Sequence, residues 1–269
     1  MHSSVRVLSF RAVPVGLALV AATGCSPMSA GPGRNVAYVA PASHGWTEEF
    51  GGSELLEESG SLGSIVAFGY RRENGAMQGS IEVYGGEVDY DGQTQGGAPL
   101  RTSVDYVGFR TELNLAIGGD RALGGLGPDP GADSTLTPYV GLGLDVWSRD
   151  LRGPGGYVEE WLSLYAHVGV DVGKRLAGGS GLYASGSVGY SLINAEQADL
   201  SAYGFGEVDL DPGPGPVLQA RAGWTKGALF AGLFARLREF AESDPDNSGF
   251  FLQPESHQQV VGLELGLAF

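Results

Sequence analysis

The sequence predicts an all-β fold: a closed antiparallel transmembrane up-and-down β-barrel of about ten strands, with eight as the alternative count. Three observations predict it. Apolar residues recur at every second position in one run after another, the period of a strand with a single apolar face. The apolar rows carry no charge, while the opposite rows mix Gly, Ser, Tyr, Arg, Asp and Glu. Finally, 46 of the 269 residues are Gly, without collagen period or low complexity, which suits many turns and closely approaching strands.

Composition narrows the partners. A formal net charge of -15 argues against nucleic acid, whose phosphates need clustered Lys and Arg. Past the N-terminus no apolar run reaches the ~18 residues of a helical membrane span. Residues 1–24 read as a signal peptide: Arg6 and Arg11 precede the short apolar run Ala12–Gly24. Cys25, the chain's single cysteine, follows the small residues that close that run. Its placement resembles a bacterial lipoprotein signal and implies lipidation at Cys25. Residues 25–44, rich in Pro, Gly, Ser and Ala, read as a flexible periplasmic tether, and residues 45–269 as the barrel.

The strands follow in order. "GWTEEF" (45–50) alternates Trp46, Glu48 and Phe50, and Ile65–Arg71 and Met77–Val88 supply the next two. In "VDYVGFRTELNLA", Val107, Phe109, Leu113 and Leu115 oppose Tyr106, Arg110, Glu112 and Asn114. In "TPYVGLGLDVWSRD", Val140, Leu142, Leu144 and Val146 oppose Tyr139, Asp145, Trp147 and Arg149. Leu162 to Val172 alternate with Trp161, Ser163, Tyr165, His167 and Asp171, and "GLYASGSVGYSL" continues the pattern. Each run has about the 9–11 residues that a tilted strand needs to cross a bilayer. "ALFAGLFARLREF" fits helical spacing as well, but strand neighbours and short turns favour a strand with Leu229, Leu233 and Leu237 outward. In the last strand Val261, Leu263, Leu265, Leu267 and Phe269 share one parity. Gly266, on the other, is expected to accept Ser with little effect.

"VDYDGQTQGGAP", "TPYVGLGLDVWSRDL", "GYVEEW" and "VVGLELGLAF" together resemble a loosely defined family of small proteobacterial outer-membrane β-barrels with no assigned activity. The resemblance implies the outer membrane of a Gram-negative bacterium, contact with its lipids and lipopolysaccharide, and the monomeric state expected for a small barrel. It also implies that Phe269, Leu267, Leu265, Leu263 and Val261 form the signal read by the barrel assembly machinery.

Inward charges on Arg110, Glu112, Asp145, Arg149, Asp171, Arg236, Arg238 and Glu264, with His167 among them, are expected to pair across strands, because buried unpaired charge is costly. The expected result is a salt-bridged plug, with a narrow pore as the alternative. No nucleophile–base pairing stands out along the chain, so no catalytic residue and no enzyme activity are expected; a lipid-modifying enzyme is the remote alternative. No cofactor is expected, with calcium as an option. In "DPDNSGFFLQPE", Asp244, Asp246, Ser248, the Phe250 carbonyl and Glu255 match the spacing of an EF-hand loop. The pattern is also compatible with a calcium-binding outer-membrane barrel, and strand alternation by itself with a soluble periplasmic β-barrel lipoprotein.

Overall fold

A computed structural model describes residues 34–74, 76–93, 98–117, 134–153 and 155–269. Cys25 and the expected signal segment lie outside the described residues. The strands are β1 (Arg34–Phe50), β2 (Ser53–Asn74), β3 (Met77–Gln93), β4 (Pro99–Ala116), β5 (Ser134–Leu151), β6 (Val158–Leu176), β7 (Ser180–Asp199), β8 (Glu207–Leu210), β9 (Pro216–Lys226), β10 (Leu229–Phe240) and β11 (Glu255–Ala268). Neighbours along the chain pair antiparallel, β7 pairs with both β6 and β9, and β1 pairs with β11. The result is a closed barrel of 10 strands. The four-residue β8 stands apart from the ring and folds back on the tip of β7.

The seam reaches the last residue. Asn35 N–H donates to the Phe269 carbonyl at 3.0 Å, and Phe269 N–H donates to the Asn35 carbonyl at 2.9 Å. Both ends of the described chain and the tight β9–β10 turn therefore sit at one rim, the turn end. At the opposite rim, the loop end, the strands overrun the barrel waist.

The predicted facing holds. Phe68 and Val107 are each 64% exposed and Leu265 is 49% exposed, while Glu58, Asp145 and Glu264 are fully buried. An apolar outside around a charged inside is the inverse of a water-soluble barrel, and it requires lipid around the waist. That excludes a soluble periplasmic barrel. The apolar belt ends where the outward rows become acidic: Glu87 and Asp89 on β3, Asp105 on β4, Asp150 on β5 and Glu160 on β6. On β6 the outward row runs from Leu162 to Val172 without a charge, about the length a tilted strand needs. Segment 229–240 is a strand, as expected, with Phe230, Phe234, Arg236 and Arg238 inward.

Two boundaries differ from expectation. Residues 34–44 are not tether but the first half of β1, buried at Val36, Tyr38, Ala40 and Ala42. Their alternation is carried by Ala, Pro and Ser, whose small contrast in polarity hides a period of two. The outer connections are also shorter than expected, because β3 and β4 run to Gln93 and from Pro99. Part of the largest connection folds as β8.

Glycine has a specific task inside the barrel. Tyr38 lies opposite Gly69, Tyr84 opposite Gly108, Tyr165 opposite Gly143, Tyr139 opposite Gly169 and Tyr183 opposite Gly223. In each case a Cβ on the glycine would fall within 2.1–2.5 Å of the facing tyrosine ring. Each ring therefore lies flat across a bare stretch of its neighbour strand. Phe230 and Phe234 do the same over Gly266 and Gly262. This overturns the expectation for Gly266, where a Cβ would come within 2.4 Å of the Ala37 carbonyl oxygen.

Leu265→Arg and Leu144→Arg, at belt height, should each cost about 2–4 kcal/mol in urea unfolding from lipid vesicles. Gly69→Ala and Gly266→Ser should cost about 1–3 kcal/mol through overpacking. If the inward changes prove neutral, the tyrosine and phenylalanine rings do not occupy the glycine slots.

Candidate functional site

The charged lumen is the site. Its composition follows from β-strand parity: every second residue must face inward, so the charges on those rows can only meet one another. At the loop end the Arg149 guanidinium collects three carboxylates. It reaches Glu48 at 3.0 Å and Glu159 at 2.6 Å, and it forks onto Glu58. Each carboxylate also accepts a second bond, from Trp46 Nε1 to Glu48 (2.9 Å), from Trp161 Nε1 to Glu159 (3.1 Å), and from the Tyr106 hydroxyl to Glu58. The guanidinium lies over the Trp46 ring. Next to it Trp147 and Trp161 stack at 5.3 Å with 11° between their planes, and Trp46 and Phe240 pack edge-on or tilted against them. Together these side chains form one buried cluster inside the barrel at the loop end.

The waist carries the second layer. Arg110 grips Asp145 through Nε (3.0 Å) and Nη2 (2.6 Å) and reaches Glu82 at 3.1 Å. Arg236 meets Glu82 at 2.7 Å and Arg238 meets Asp145 at 2.8 Å. The Tyr38 and Tyr84 hydroxyls donate to the same two carboxylates. Bidentate, multiply hydrogen-bonded pairs are the arrangement in which buried ion pairs offset their desolvation.

Nearer the turn end Arg221 pairs with Glu264 at 3.0 Å. Glu112 accepts bonds from Tyr165 (2.5 Å) and Gln219 (2.7 Å). His167 Nε2 lies 2.9 Å from Asn114 Oδ1 and its Nδ1 lies 3.4 Å from Ser187, so its near neighbours are an amide and a hydroxyl. Asp171 stands opposite Ser185 in register. A cavity of about 30 Å3 remains among Arg71, Glu112, Asn114, Tyr139, Ser185 and Arg236, room for about one water.

Every inward charge expected from the sequence therefore lies in the lumen, and Arg110, Asp145, Arg149, Arg236, Arg238 and Glu264 are ion-paired there. Sequence reasoning missed Glu48, Glu58 and Glu159 as the partners of Arg149. Glu159 was available by extending the parity of Trp161 and Ser163. Glu58 was hidden by the register break between Ser59 and Ile65.

The EF-hand-like stretch is the β10–β11 connection. Asp246 turns its carboxylate onto its own loop, accepting from the backbone N–H groups of Phe250 and Phe251 and from Ser248. The Phe251 N–H and the Ser248 hydroxyl hold its carboxyl down to about 2. Glu255 already belongs to β11, with His257 3.8 Å away. Among the described residues no group of three or more His, Cys, Asp or Glu is placed to hold a metal ion, so Asp244, Asp246 and Glu255 do not converge. Phe250 is 83% exposed. Val261, Leu263, Leu265, Leu267 and Phe269, from which an assembly signal is expected, form the outward row beside the seam.

No protein-family model and no curated protein sequence matches this chain. Solved structures do. The chain is similar to the outer membrane protease OmpT from Escherichia coli, with a TM-score of 0.50 at 9% identity, covering 91% of this chain and 99% of that one. It is also similar to the translocator domain of the autotransporter NalP from Neisseria meningitidis, with a TM-score of 0.38 at 14% identity, covering 88% of this chain and 89% of that one. A third is the outer membrane protein OprG from Pseudomonas aeruginosa, at 0.35 and 9%, covering 88% and 96%. At these identities the likeness is one of fold.

Arg149→Ala should destabilise the barrel by about 3–5 kcal/mol, because it strands three buried carboxylates. Adding Glu58→Gln should recover part of the loss. Equilibrium unfolding followed by tryptophan fluorescence checks both, since Trp46, Trp147 and Trp161 surround the site. An additive double variant would show that Arg149 and Glu58 do not act as a pair.

Proposed function

We propose that this protein is a non-conducting outer-membrane β-barrel, a structural element rather than an enzyme or an open pore. The observation that carries the reading is the cluster at the loop end, where Arg149, its three carboxylates and the Trp46, Trp147 and Trp161 rings lie buried against one another inside the barrel. The turn end faces the periplasm and the loop end faces outward, the arrangement of short periplasmic turns and longer outer connections usual for such barrels. The acidic rows above the belt then form an anionic outer crown, which suits shared divalent ions beside lipopolysaccharide phosphates. Lipidation at Cys25 adds a second tie to the membrane. The outward row of β11, ending at Phe269, serves as the assembly signal.

Planar-bilayer recording tests the central point. The wild-type barrel should give no resolved channel steps, and Arg149→Ser combined with Trp147→Ser should open it. Sustained wild-type current sinks the reading. Processing that is blocked by globomycin would support the lipid at Cys25, and indifference to globomycin would remove it. Phe269→Asp should slow insertion more than it destabilises the finished barrel, as followed by the heat-dependent gel shift over time.

A further inference from the structure

The lipid-facing wall is not uniform. Across β5, β6, β7, β9 and β10 it holds an apolar groove of about 650 Å3. The floor is Gly186, Ala220 and Ala235, which face one another in register on β7, β9 and β10. Val168, Val188 and Leu237 stand along its sides. Set between Val168, Val188, Leu218 and Leu237, these small residues leave a trough in the wall.

On the same strands, toward the turn end, the outward rows continue to Lys174 and Lys226, both exposed. Lys174 pairs in register with Leu182, Leu182 with Trp224, and Lys226 with Ser180, so the two lysines belong to one neighbourhood. Lys174 and Lys226 are the only lysines of the chain. Neither lysine makes a salt bridge to a described residue. Trp224 points outward between them, at the height where aromatic side chains favour the membrane interface. Lys174 lies four residues along β6 from Val170 at the groove, about 13 Å at ~3.3 Å per residue. A headgroup held there leaves its acyl chain over the trough.

We propose that this groove seats an anionic phospholipid of the periplasmic leaflet, with an acyl chain over Gly186 and Ala220 and its phosphate between Lys174 and Lys226. The inference rests on the reading of the chain as a membrane-embedded barrel. Shape alone would accept any lipid. The unpaired cations at one end of the trough, on a chain of net charge -15, add the preference for negative charge, because basic residues near a membrane surface attract anionic lipids.

Native mass spectrometry of the barrel released from micelles, with phosphatidylglycerol or phosphatidylethanolamine added, tests it. Phosphatidylglycerol adducts should survive activation that strips phosphatidylethanolamine. Two independent variants should each lower phosphatidylglycerol retention by about tenfold or more. One is Lys174→Gln/Lys226→Gln. The other is Gly186→Leu, where a Cβ would meet only the Gln219 carbonyl oxygen at 4.0 Å, so the side chain can fill the trough without moving the sheet. A heat-dependent gel shift in all samples reports an intact barrel; its absence in the wild type overturns the membrane reading itself, and this inference with it. Equal retention of the two lipids, or retention untouched by both variants in intact barrels, overturns the lipid site alone. So does a dimer that Gly186→Leu abolishes, because the groove then belongs to a second copy of the chain.

Discussion

The structure depends on one constraint: hydrocarbon offers no partner to a backbone N–H or C=O. A sheet in lipid therefore needs to have no edge. The β1–β11 seam meets that requirement. It keeps one register from Glu49 opposite Glu255 down to Val36 opposite Ala268, interrupted at Ala40 and Pro41, and the reciprocal Asn35–Phe269 bonds finish it. Phe269 thereby stands inside the hydrogen-bond ladder.

Closure then determines the interior. A ring of 10 strands leaves little free width once its inward rows carry Tyr, Trp and Arg. Charges that point inward must settle among themselves. They do so in tiers, with Asp145 and Glu82 each shared by two arginines at the waist and Arg149 shared by three acids above. Acid excess at the upper tier is tolerable because tryptophan and tyrosine donors complete the carboxylates. Aromatic rings in that tier therefore contribute both bulk and hydrogen bonds.

Much of this was readable from parity alone. Strands with strong contrast, such as Val140 to Val146 against Asp145 to Arg149, disclosed type, facing and lumen membership together. Weak contrast hid the rest. The first half of β1 alternates Ala against Ala and Val against Pro, so no face stood out. The break in β2 between Ser59 and Ile65 shifts the pattern, and Glu58 dropped from view with it. Pairing partners such as Glu58 and Arg149 lie 91 residues apart, a separation that no local pattern bridges. The reading of Asp244 to Glu255 as a cation loop failed to converge for a related reason: spacing along a chain does not say which way carboxylates turn, and Asp246 turns onto its own backbone.

The tyrosine–glycine contacts bear on how such a barrel avoids mispairing. A one-residue slip between strands exchanges inside for outside and is rejected by the bilayer. A two-residue slip keeps every side chain on its proper side, so lipid cannot detect it. Moving β2 two places along β1 would set Tyr38 against Ala67 or Arg71 instead of Gly69. The ring would then meet a Cβ where it needs bare backbone. Repeated around the wall, these slots act as an error check on alignment that is independent of polarity, and they make the chain's glycine content a record of which strand positions may meet.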